Sequence, residues 1–192
     1  MKTENTINES SVSKLCNGVD AGALRETIAF LGDNPDKAQF TFRASNRWID
    51  GSFNESTIAS FNALGEEQNH DRSHVVQADQ PALILGKDKA PNPVENLLAA
   101  LSSCIATTTV YHAAANGESI EELTSELEGA IDVQGFMGID PDVREGFNEI
   151  NVKVKAKSTA NEERLMELIS KSPVLDVLRH GTTVNVVIES VS

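Results

Sequence analysis

The stretch from Pro91 to Gly117, PNPVENLLAALSSCIATTTVYHAAANG, constrains this chain most, because it reads as one long helix with a cysteine in its apolar face. Asn92 can cap it, Pro93 suits the first helical position, and Gly117 can take the left-handed stop. Val94, Leu97, Leu98, Leu101, Cys104, Ile105 and Thr108 recur at helical spacing, which predicts that the Cys104 thiol is buried or nearly so. Ala99, Ala100, Ser102, Ser103, Ala106 and Thr107 fill the flanks with small side chains, so another helix or backbone can approach closely. At about 1.5 Å per residue the helix would be roughly 36 Å long. Glu95, Asn96, two serines, three threonines and His112 make it too polar for the run of about 20 apolar residues that a bilayer requires. The expectation is a core helix and no membrane partner.

The other elements surround this helix. Asp20 caps a short amphipathic helix over Asp20 to Leu31, with Leu24, Ile28 and Leu31 on one face. Phe40 to Asn46 and Ser52 to Phe61 are strand-like, and Asp50-Gly51 between them is a hairpin signal that places Arg47 and Trp48 near its tip. Gly65 to Ser73 reads as a polar loop, followed by a strand over His74 to Ala78. After the cysteine helix, apolar alternation from Leu123 to Val133 and from Ile150 to Ala156 predicts two half-buried strands. Thr159 and Glu162 form a capping-box pair for a helix ending at Ser170, Ser172-Pro173 stops it, and Thr183 to Val191 reads as a last strand. Strands in two groups, joined by hairpins and separated by helices, predict an α+β fold with antiparallel sheet.

With 192 residues, 40% hydrophobic and 23% charged, the chain is expected to form one domain over 20–192, with 20–36 as a helical extension and 1–19 as a flexible polar tail. A formal charge of −13, from 16 basic and 29 acidic residues, argues against nucleic acid and against anionic membrane surfaces. The start, MKTENTINESSVSK, has no apolar core for a signal peptide, so a cytoplasmic location is expected. Two cysteines, Cys16 and Cys104, are too few for a disulfide framework and are free thiols in a reducing compartment.

Few motifs carry chemistry. No nucleophile elbow, phosphate loop or dinucleotide fingerprint is present, and no cofactor is expected. His70 and His74 lack a third ligand, so no metal is expected and the pair reads as part of a polar loop. His112, eight residues past Cys104, is about 12 Å further along the helix and cannot serve that thiol as a base. Cys104 is the remaining candidate, either as a small buried hydrophobe or as a reactive thiolate if a cation lies near it.

NPVENLLAALSSC, the later SPV at Ser172, NGVD from Asn17, RWIDGSFN from Arg47 and the closing TTVNVVIE together resemble the OsmC/Ohr family of osmotically inducible and organic hydroperoxide resistance proteins. The resemblance is nearest to a less characterised OsmC-like branch. It implies an intertwined homodimer, with antiparallel sheets wrapped around two long central cysteine-bearing helices. It also implies that Cys104 is the peroxidatic cysteine, attacking the O–O bond of a hydroperoxide and becoming a sulfenic acid. Arg47 matches the hairpin arginine that pairs with the thiolate, and Arg43 nearby could serve instead. Glu95 would hold that arginine, although the peroxidases carry their glutamate one position earlier, where Val94 stands. Nine residues also put Glu95 on the far side of the helix from Cys104 and roughly 13 Å along it, so the pairing needs a partner chain. Ser172 stands where those peroxidases have a resolving cysteine. A serine forms no disulfide, so the sulfenic acid would need an external thiol reductant or Cys16, which no family motif recommends. Two functions therefore stay open: a thiol peroxidase acting on a small hydroperoxide, or a non-catalytic dimer that holds an apolar ligand while Cys104 merely packs.

Overall fold

In the computed structural model, which describes residues 15–190, the cysteine helix α2 runs over Pro93–Asn116. Both of its ends form as the sequence dictates. The Asn92 side chain accepts from the Glu95 N–H at 2.8 Å while Glu95 accepts from the Asn92 N–H at 2.7 Å, and Gly117 closes the helix at φ +75°. By length and mean hydropathy alone α2 would suffice to cross a membrane. Its apolar stripe is instead spent on packing: Leu101 and Ile105 join Ile169 and Leu175 in the buried core, with Leu127, Ile150, Val154 and Val174 against them.

A first hairpin, β1 (Leu15–Cys16) with β2 (Val19–Asp20), turns through Asn17 and Gly18, both at positive φ. Residues 1–14, most of the expected polar tail, lie outside the described residues. Asp20 then caps α1 (Ala21–Asp33), accepting from the N–H groups of Gly22 and Ala23 at 3.0 Å.

The strands β3 (Thr41–Phe42), β4 (Ser45–Asp50), β5 (Phe53–Ala63) and β6 (Glu66–Ala78) build one antiparallel sheet, with β3 and β4 on one side of β5 and β6 on the other. The polar loop expected over Gly65 to Ser73 is overturned, since β6 covers most of it. Leu64 and Gly65, at φ +57° and +82°, make a tight turn, and β6 pairs with β5 by backbone bonds that need no apolar alternation. Arg47 is likewise not at the hairpin tip but within β4, opposite Glu55. Among the described residues no helix packs across this sheet, and Phe42 and Trp48 stand 73% and 70% exposed.

Asp79 ends β6 and governs the loop into α2. Its carboxylate, 1% exposed, accepts from the Ser52 hydroxyl at 2.5 Å and from the N–H groups of Gln80, Lys87 and Lys89 at 2.8, 3.3 and 3.2 Å. Within that loop, a Cβ on Gly86 would lie 1.7 Å from the Gln80 carbonyl oxygen, so only glycine fits there. The Ser52 hydroxyl first, and then the three N–H groups, hold the Asp79 carboxyl below its usual value, outweighing burial. A depressed folded value stabilises the fold above the unfolded value of about 3.9, and that contribution fades as pH falls through the folded value. Asp79→Asn is therefore expected to lower the urea midpoint at about pH 7 and to flatten its loss as pH falls below about 4. A variant as stable as the parent at neutral pH would remove Asp79 from this role.

On the other side of α2, the two expected strands form as β7 (Ile120–Ala130) and β8 (Glu149–Ser158), paired antiparallel, but the first ends at Ala130 rather than at Val133, which starts a short helix α3 (Val133–Phe136) in the intervening loop. Helix α4 spans Glu162–Ile169, and its cap is Asn161, accepting from the Arg164 N–H at 2.8 Å, rather than Thr159. Thr159 is diverted to accept from the Ser119 N–H at 2.9 Å. Ser172-Pro173 does not merely stop a helix; it starts another, α5 (Pro173–His180). The pair reads either way, because serine before proline both ends one helix and caps the next. The last strand expected from Thr183 does not form either. Gly181 to Ser190 has no strand partner among the described residues, and Val187 and Ile188 are 83% and 87% exposed.

Candidate functional site

Cys104 lies on α2 between two unlike faces. Leu101, Ile105 and Thr109 beside it are buried, whereas Ala99, Ala100, Ser103 and Thr107 are exposed. The thiol is half-buried, and Sγ has one polar neighbour, Thr108 Oγ1 at 4.0 Å. Thr109 donates its hydroxyl to the Ile105 carbonyl at 2.7 Å, which keeps that side of the helix dry.

The other expected site residues sit elsewhere. Arg47 reaches Glu55 on the neighbouring strand at 3.6 Å and leaves its side chain 77% exposed. Arg43 pairs with Glu67 at 2.8 Å. Glu95 is engaged in the capping box. Among the described residues no hydrogen bond or ion pair joins Cys104 to Arg47, Arg43 or Glu95, so one chain does not assemble the three. Cys16, the second thiol, faces the Glu118 carbonyl at 3.5 Å, near the far end of α2.

Ser172 is fully buried, and its hydroxyl accepts from the Leu175 N–H at 3.3 Å. Its role as a helix cap was not visible from the sequence, because α5 itself was not. Losing such a cap removes about 1 kcal/mol, with a range of roughly 0.5–2. Ser172→Ala should fall in that range by urea denaturation; a Ser172→Ala protein of unchanged midpoint would show that α5 holds without it.

His70 and His74 are exposed on β6, yet their ring centroids lie 5.1 Å apart, and the Phe61 ring sits tilted by 40° against His70 at the same spacing. Between Ser60↔Asn69 and Ile58↔His74 the register slips, and the bulge brings the two rings together. Among the described residues no group of three or more metal-ligating side chains exists.

A cavity of about 1020 Å³ opens on the buried face of α2 between β8, α4 and α5. Leu97, Leu101 and Ile105 line it, and Cys104 does not.

A long helix with antiparallel sheets on either side of it in sequence recurs in known proteins. The model of the OsmC-like protein family matches residues 86–187, just over half of the chain. This chain belongs to the OsmC-like family. Solved structures agree on the fold. An OsmC-like protein from Mycoplasma pneumoniae shares 18% identity over 73% of this chain and 88% of its own, with a TM-score of 0.53. An OsmC-like protein of unknown function from Vibrio cholerae shares 11% over 71% of this chain and 92% of its own, at 0.50. No curated protein matches the chain. The α+β architecture, with antiparallel sheets and a long helix, is that of the family.

Proposed function

We propose that this OsmC-like chain is a thiol peroxidase that reduces organic hydroperoxides in the cytoplasm, with Cys104 as nucleophile and an external thiol as reductant. The observation that carries the reading is the position of Cys104, half-buried at the seam between the packed and the bare faces of α2. A thiol there is reachable, yet a second copy laid on the bare face would shut out water.

In the proposed step the Cys104 thiolate attacks the terminal oxygen of ROOH. An S–O bond forms, the O–O bond breaks, and RO⁻ leaves and takes a proton as ROH. The sulfenic acid condenses with one external thiol, releasing water, and a second thiol attacks the mixed disulfide to return Cys104. Cys16 plays no part in this cycle. The thiolate needs a cation. Arg47 is assigned that role from a second copy of the chain, with Glu95 orienting it there; the exposure of its guanidinium and its long, 3.6 Å pairing with Glu55 leave it free to move.

Mild exposure to cumene hydroperoxide should consume one of the two titratable thiols, and dithiothreitol should restore it. A second reading, a non-catalytic ligand-binding dimer with a structural Cys104, draws on the single, distant polar neighbour of the thiol. A Cys104 pKa near or above the ordinary value of about 8.5 with no oxidation would decide for that reading.

A further inference from the structure

The 1020 Å³ cavity does not belong to the thiol site. It lies at the upper end of the range of about 300–1,000 Å³ usual for small-molecule sites, and it is built within one chain. Leu97 and Leu101 form its floor on α2, Ile150 and Val154 one wall on β8, and Ile169 and Leu175 the other on α4 and α5.

Charge gathers at its rim. Arg144 and Arg179 border the cavity, and neither pairs with a carboxylate among the described residues. That is unusual in a chain of net charge −13, where acids outnumber bases 29 to 16. Of the other charged side chains there, Lys155 is taken by Glu126 at 3.1 Å, while Glu149, which accepts from the neutral Asn151 amide at 2.6 Å, and Glu162 have no cation beside them among the described residues. The loop carrying Arg144 is firmly seated. A Cβ on Gly135 would lie 2.4 Å from the Arg144 carbonyl oxygen, and one on Gly129 would lie 2.6 Å from the ring of Phe147, which also borders the cavity. Two glycines thus let the backbone close down on this loop. Arg179 sits in the last turn of α5, where the helix end favours a cation whether or not a ligand is present.

An apolar interior with two unpaired guanidinium groups at its mouth selects for a molecule with a long apolar tail and an anionic head. We infer that this cavity binds a single-tailed amphiphile through its carboxylate, held by Arg144 and Arg179, at a site separate from Cys104. Such binding does not depend on peroxidase activity.

The test uses full-length protein with Cys104→Ser, so that no thiol chemistry enters, and calorimetric titration with three probes of equal tail: dodecanoate, dodecanol and dodecyltrimethylammonium. Dodecanoate is expected to bind at least about tenfold more tightly than dodecanol, and the cationic probe least of all. In Arg144→Gln/Arg179→Gln, whose changes are at exposed positions, dodecanoate should fall to the affinity of dodecanol. Ile150→Trp, which fills the cavity, should remove binding of both, and circular dichroism checks that it folds. Equal binding of the alcohol, preference for the cation through Glu162, or retention of the preference in the double variant would each overturn the inference. So would absence of binding, which would show the cleft to be filled by Gly181 to Ser190 or by a second copy.

Discussion

Purified protein is expected to be a homodimer whose unfolding midpoint rises with protein concentration, and Ala100→Asp to remove dimer and fold together. The reason lies first in the sheet of β3 to β6, which one chain leaves without a helix on it and with Phe42 and Trp48 bare. A sheet needs one face covered to be stable in water. The same chain exposes Ala99, Ala100, Ser103 and Thr107 along α2, a surface that admits close approach, and its Val184 to Ile188 segment has no strand to pair with among the described residues. Each of these is a half-built contact, and a two-fold axis would complete all of them with one operation. An interface of this obligate kind buries more than about 2,000 Å² and leaves little stable monomer. An aspartate at position 100 would place a bare charge in the seam of each chain beside its twin. A folded monomer at micromolar concentration by light scattering would show that the chain manages its apolar surface alone.

The second large effect concerns Cys104→Ser, which should reduce hydroperoxide consumption to the level of buffer and reductant alone, since a serine hydroxyl forms no sulfenic acid. Its fold should be unaffected, because Sγ is half-buried and its one polar neighbour is 4.0 Å away. Cys16→Ser is the control and should keep full turnover with external thiol. A Cys104→Ser protein that consumes peroxide as fast as the parent would end the peroxidase reading. Arg47→Gln separates the roles further: it should slow oxidation of Cys104 while leaving the protein dimeric.

How much the residues revealed depended on how local each signal is. Helix α2 was legible to its caps because Asn92, Pro93, Glu95 and Gly117 state both ends within a few residues, and β7 and β8 because one face of each is partly buried, so apolar and polar residues alternate. Strand β6 was not, since Glu66 to His74 is polar on both faces and is held by β5 backbone rather than by burial. Helix α5 was hidden by Ser172-Pro173, a pair that ends or begins a helix according to whether Val174 to His180 continues one. The last strand failed for the converse reason: its residues alternate well enough, but a strand exists only against a neighbour. For the site, the sequence singled out the cysteine, while the surroundings of that cysteine depend on contacts that one chain does not make. The cavity rim escaped notice because Arg144 and Arg179 lie far apart in sequence and carry no motif.

The single carboxylate of Asp79 has a mechanical consequence. It holds N–H groups from both ends of the loop that joins β6 to α2, together with a hydroxyl from the start of β5, so it acts as the clamp of a long lever. Strand β6 has 13 residues and extends roughly 40 Å from that clamp, so a slackening of about 5° there would carry its far end through about 3–4 Å. That displacement approaches one strand spacing. One buried acid at the hinge therefore sets the aim of the far end of the sheet, the turn at Leu64 and Gly65, while Arg47, opposite Glu55 and so beside the clamp, stays nearly where it is.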